Sequence, residues 1–130
     1  MGIVIRRLLL IFTLLVAAPA FAAPAWMQYS PAEFTKSQSA GKTIIVDVHA
    51  DWCPTCRAQA PILDTLRQDP RFKNAMFIRV DFDKDKAFLR QHRIARQSTI
   101  LVFKGRKETA RSVAETRAEK LRALLTKGTR

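Results

Sequence analysis

Cysteine is the scarcest chemically useful residue in this chain: there are two in 130 residues, Cys53 and Cys56. Two thiols exclude the stapled secreted scaffold, which depends on several disulfides. A structural zinc site would need two further ligands, and beyond carboxylates the chain offers only His49 and His92. A disulfide closing so short a loop removes little chain entropy, so a purely structural staple is a poor use of the pair. Internal repeats and low-complexity segments are also missing, which excludes a solenoid or a disordered array. There is no run of five or six like charges, although Lys+Arg number 23 against 11 Asp+Glu, for a formal net charge of +12. The basic residues are spread as a solvated surface would spread them. No nucleic-acid motif accompanies them, so nucleic acid is not an expected partner. Weak contact with an anionic membrane surface or an acidic partner is compatible with the charge.

One long apolar run exists, and it lies at the N-terminus. Arg6 and Arg7 precede an apolar stretch at 8–18, and Ala20-Phe21-Ala22 has the small-x-small form of a cleavage site. Residues 1–22 therefore read as an export signal cut after Ala22. The alternative is an uncleaved N-terminal membrane anchor, against which Pro19 and the shortness of the run both count. Loss of Arg6 and Arg7 would take the net charge from +12 to +10. What remains, 23–130, is enough for one domain and a modest core. Export, periplasmic or otherwise, would place the cysteines in an oxidising compartment.

The pattern along 23–130 is that of an α/β protein. Residues 23–29 read as a linker or short edge strand. Ser30-Pro31-Ala32-Glu33 has the form of a capping box, and Gly41 supplies a stop, predicting a helix over 31–40. The run 43–48 is almost wholly apolar, as a central strand covered on both faces would be. Ala60, Ile62, Leu63 and Leu66 form the inward stripe of a helix ending near Asp69-Pro70, with a kink expected at Pro61. A second buried strand is predicted over 75–82, then a helix over 84–93 capped by Asp83, and a third strand over 98–103. Lys104-Gly105-Arg106 turns the chain into a hairpin strand at 107–111. Thr116-Arg117-Ala118-Glu119 suggests a second capping box and a last helix running to about Thr126. The resulting sheet should have one antiparallel edge.

Cys53 falls at the junction between the strand 43–48 and the helix that follows. Free N–H groups and the dipole at a helix start favour a thiolate, making Cys53 the expected nucleophile. Cys56, one turn on, is placed to resolve a mixed disulfide. Asp47 and His49 share a strand face. His49 could tune the thiols or bind metal with them, or simply bond to backbone at the strand end. His92, among Arg90, Arg93 and Arg96, reads as a surface residue on a basic helix end, and Met27 and Met76 read as packing.

The Ala50-Asp51-Trp52-Cys53 approach, the C-x-x-C pair, and the strand from Thr99 to Phe103 before a Lys-Gly turn resemble the thioredoxin family, in particular its exported thiol reductases. The resemblance implies a thioredoxin-like fold with a central mixed β-sheet flanked by helices. It implies Cys53 as attacking thiolate, Cys56 as resolving thiol, and Asp47 as the buried carboxylate exchanging a proton with Cys56. Trp52 would shield the pair. Pro54, Thr55 and the loop Arg96-Gln97-Ser98 would join Trp52 as the substrate-binding surface. The sequence departs from the family at Ser98, where the family places a cis-proline. A cis bond to a non-proline residue costs about 2.5–4 kcal/mol, so a trans Gln97–Ser98 bond is expected. Ser98 also restores an N–H and adds a hydroxyl, and an Arg96 guanidinium near Cys53 would favour its thiolate. The expected activity is thiol–disulfide exchange on protein thiol and disulfide substrates by a monomer, with no cofactor and no metal, fed by a membrane electron donor. The alternative is a redox-inert or metal-holding binding module on the same fold.

Overall fold

The computed structural model describes residues 16–130. Most of the signal reading, residues 1–15, lies outside the described residues. Among those described, no helix is long and apolar enough to cross a membrane. The elements run β1 (Trp26–Gln28), α1 (Pro31–Ser39), β2 (Thr43–His49), α2 (Pro54–Arg67), a 3-10 turn (Pro70–Phe72), β3 (Met76–Asp81), α3 (Lys86–Gln91), β4 (Thr99–Lys104), β5 (Lys107–Val113) and α4 (Ala118–Gly128). They follow the predicted order, with the 23–29 segment supplying an edge strand.

The five strands form one sheet in the order β1-β3-β2-β4-β5. β1 and β2 both run parallel to β3, whereas β4 is antiparallel to β2 and to β5. The antiparallel part is therefore larger than the single edge expected. β2 lies at the centre, and Ile44 to Val48 are all buried because helices cover both faces.

Alternation along β2 divides the core in two. Ile44, Val46 and Val48 pack with Phe34 of α1 and Phe88 and Leu89 of α3. Ile45 faces the other way, against Leu63 and Leu66 of α2 and Leu121 and Leu125 of α4. Asp47 and His49 share the Ile45 side by the two-residue period of a strand. α4 approaches the sheet so closely that a Cβ on Gly128 would lie 2.7 Å from the Cβ of Val102.

The helix starts differ from the expected caps. Ser30 has the extended backbone of a cap residue, but its side chain makes no capping bond. α4 begins after Arg117, because Glu115 accepts from both the backbone and the guanidinium of Arg117 and holds 115–117 outside the helix. Likewise Asp83 caps nothing. Asp81 accepts the N–H groups of Asp83 and Lys84, a local turn that delays α3 to Lys86. α2 continues unbroken through Pro61. β5 extends to Val113, beyond the predicted 111, with a register shift opposite Val102 and Phe103.

Candidate active site

Central strand β2 ends at His49, and Ala50, Asp51 and Trp52 carry the chain to α2. Pro54 at the first helical position has no N–H to leave unsatisfied, so the helix starts cleanly after Cys53. Cys53 is the N-cap, and its sulfur accepts the N–H of Cys56 at 3.1 Å. Burial pushes the Cys53 thiol up, but hydrogen bonds from Cys56, Ser98 and Gln97 outweigh it and bring the thiol below its ordinary value. Cys56 moves the opposite way. Its burial and its hydrogen bond to Cys53 raise it. The two thiols are thus unequal, and Cys53 is the one held ready as thiolate.

Ser98 joins the thiols. Its hydroxyl lies 3.2 Å from Cys53 Sγ and 3.1 Å from Cys56 Sγ. All peptide bonds among the described residues are trans, including Gln97–Ser98, and Ser98 adopts a φ of +63°. The N–H that serine restores is consumed inside the fold, donating to the Val48 carbonyl at 2.8 Å.

Asp47 is buried on the α2 side of the sheet. Burial raises its carboxyl above the ordinary value, opposed by Arg79 and by His49. Arg79, its register partner on β3, donates through Nε at 3.2 Å. The second carboxylate oxygen, Oδ1, has no hydrogen-bond partner. No hydrogen bond joins Asp47 directly to either thiol among the described residues. His49 is not bonded to backbone through its ring: Nε2 lies 3.2 Å from Asp51 Oδ1 and Nδ1 lies 3.7 Å from Asp47 Oδ2. A cleft of about 340 Å³ lined by His49, Asp51, Trp52, Arg79, Asp81 and Asp83 opens beside this group. Among the described residues, no cluster of three or more His, Cys, Asp or Glu side chains could hold a metal ion.

The remaining predicted residues are distributed around the pair. Trp52 is 56 % exposed, a tethered surface ring. Its indole N–H donates to Asp83 at 2.7 Å, and its ring meets Phe82 edge-on. Pro54 is exposed, while Thr55 and Gln97 are half-buried. Arg96 is exposed and does not figure among the leading influences on Cys53, which is governed by hydrogen bonds instead. Its carbonyl has a structural task, accepting from the Thr99 hydroxyl at 2.7 Å.

Sequence reasoning missed Gln59 and Arg79. Gln59 is buried on α2 and donates to the carbonyls of Ser98 and Glu115, tying the Ser98 loop to the helix that carries the cysteines. The signal was a polar residue in the stripe Cys56, Gln59, Leu63, Leu66. Arg79 was legible as a cation between Ile78 and Val80 in a buried strand. Its guanidinium also lies 4.6 Å from the Trp26 ring centre.

Residues 25–127 match the thioredoxin family model. The chain belongs to the thioredoxin family. Its relatives include an H-type thioredoxin from Oryza sativa subsp. indica, 34 % identical over 73 residues, covering 56 % of this chain and 58 % of the rice protein. A thioredoxin from Coprinus comatus is 33 % identical over 72 residues, which are 55 % of this chain and 68 % of the fungal one. Among solved structures, Trxlp from Edwardsiella tarda superposes with a TM-score of 0.75 at 38 % identity, covering 78 % of this chain and 98 % of that protein. Thioredoxin homologues are thiol–disulfide oxidoreductases acting on protein disulfides, and the Cys53–Cys56 pair supports that activity in this member of the family.

Proposed function

We propose that this thioredoxin-family chain is an exported dithiol reductase of protein disulfides. The observation that carries the reading is the inequality of the two thiols: Cys53, at the helix start, is lowered, while Cys56 is raised. Cys53 attacks a substrate disulfide as the thiolate, and Cys56 then attacks Cys53 and releases the reduced substrate. Asp47, made a better proton acceptor by burial at the sheet face beneath α2, takes as its carboxylate the proton that Cys56 must lose. Trp52, Pro54, Thr55 and Gln97 form the rim that an extended substrate segment meets, and Arg96 adds a cation favouring acidic substrates. Export rests on the residues of the N-terminus, Arg6-Arg7, the apolar run and Ala20-Phe21-Ala22, with mature protein beginning near Ala23. In an oxidising compartment the pair would need reducing equivalents from a membrane electron donor.

The experiment is turnover of a protein disulfide with a small dithiol as reductant. Cys53→Ser should abolish it, and Cys56→Ser should accumulate a mixed disulfide on Cys53. Turnover that survives Cys53→Ser would refute the assignment, and a chain inert in both directions would support a binding module instead. Intact mass of protein recovered outside the cytoplasm tests export, with a species retaining Met1 pointing to the anchored form.

A further inference from the structure

Ser98 occupies the position at which the family resemblance places a proline, and its side chain does what a proline ring cannot. The hydroxyl lies within hydrogen-bond distance of both sulfurs, 3.2 Å from Cys53 and 3.1 Å from Cys56, and the residue is only 2 % exposed. Three bonds fix its backbone. The N–H donates to Val48 at 2.8 Å, while the carbonyl accepts from Gln59 Nε2 at 3.2 Å and from the Ala114 N–H at 3.0 Å. Its φ of +63° is a left-handed conformation that glycine takes freely and serine takes at a cost. A strained residue held by its surroundings against two reactive groups points to a role in the reaction.

We propose that Ser98 is a catalytic residue whose hydroxyl donates its hydrogen bond to whichever sulfur carries the negative charge, first Cys53 and then Cys56. The inference rests on the dithiol reading above. A serine hydroxyl has one proton to donate and lone pairs to accept with, so a rotation about one bond exchanges its two sulfur partners. Before attack, the O–H points to the Cys53 thiolate while Cys56 keeps its proton. Cys53 Sγ then bonds to one substrate sulfur, the substrate S–S bond breaks, and the other substrate sulfur leaves as a thiolate. Cys53 no longer bears charge. The Cys56 proton ends on the released substrate thiol, directly or through Asp47, and the Ser98 O–H turns to the new Cys56 thiolate. Cys56 Sγ bonds to Cys53 Sγ, the mixed disulfide breaks, and the second substrate thiolate takes its proton from water. The substrate disulfide gains two electrons and the cysteine pair loses two.

Ser98→Gly is the sharpest variant, because glycine accepts the left-handed backbone, keeps the three backbone bonds and removes the hydroxyl. Two rates should fall by about tenfold, the loss of a charge-assisted hydrogen bond. One is alkylation of Cys53 at neutral pH, whose pH profile should move upward. The other is release of substrate from a preformed mixed disulfide on Cys53. Ser98→Ala should behave in the same direction. Both rates staying within about twofold of the parent would overturn the proposal. A shifted alkylation profile with unchanged release would overturn the hand-over to Cys56. Alkylation needs no substrate disulfide, so it tests Ser98 even in a chain that reduces nothing. Absence of turnover in the parent would count against the proposed function alone.

Discussion

Each face of the sheet holds a titratable side chain, half-buried on one and buried on the other, and the two are treated in opposite ways. On the α1–α3 face, His92 is ringed by Phe34, Phe88 and Phe103, with ring centres 4.3 to 5.9 Å away. The ring is half-buried at the end of α3, a surface position with an aromatic underside. Burial lowers its pKa, so the imidazole is kept neutral and serves as one more flat ring in an aromatic cluster. On the α2–α4 face, Asp47 sits against Arg79 and His49, and the same face carries the cysteines, Ser98 and Gln59. One face uses its half-buried ring in packing. The other gathers Asp47, Gln59 and the left-handed Ser98 around two thiols, as functional sites do.

If that division is right, the aromatic face should control stability and leave chemistry alone. Phe88 is 1 % exposed and meets Tyr29, Phe34 and His92. Phe88→Ala should therefore cost about 3–5 kcal/mol, a large part of the stability of a small domain. Chemical denaturation measures the loss, and turnover per folded molecule should be unchanged.

Asp47→Asn should do the reverse. Burial raises the carboxyl above its ordinary value of 3.8, so its stabilising neutral form is fully present below that value and is lost as pH rises through the raised one. At neutral pH the amide should raise Tm by on the order of 5 °C, while release of the mixed disulfide slows. Thermal melts across pH, together with single-turnover release, test both halves. Unchanged turnover at every pH would remove Asp47 from the mechanism.

His92 gives a smaller effect of opposite sign. Burial holds its pKa below the ordinary value of 6.5, so stability from the neutral ring is present above that value and lost as pH falls through the lowered one. His92→Phe should abolish that acid-side loss and leave thiol reactivity unaffected, as melts and alkylation would show. Smallest of all is Arg96→Ala. At this exposed position stability should change by less than about 0.5 kcal/mol. Salt dependence of the reaction with an acidic substrate should weaken, whereas alkylation of Cys53 should hold.

The same division explains what could be read from the sequence. The strands at 43–48 and 98–103 and the helix after the cysteines announce themselves through apolar period and turn residues. Local logic also places Cys53 at a helix start. Helix starts at Thr116 and Lys84 are not realised because the carboxylates of Glu115 and Asp81 accept the N–H groups of Arg117 and of Asp83 and Lys84. The aromatic underside of His92 is hidden in the sequence, where its neighbours are cations, because its neighbours in space come from α1, α3 and β4. The meeting of Ser98 with both sulfurs joins residues 45 and 42 positions apart. Sequence flagged Ser98 as a departure but could not aim its hydroxyl.

The central claim is that the fold makes the two thiols unequal. Alkylation of the reduced protein across pH, with each modified cysteine located by mass, tests it directly. Cys53 should react below the ordinary thiol range, and Cys56 only at higher pH. Equal profiles, or Cys56 reacting first, would contradict it.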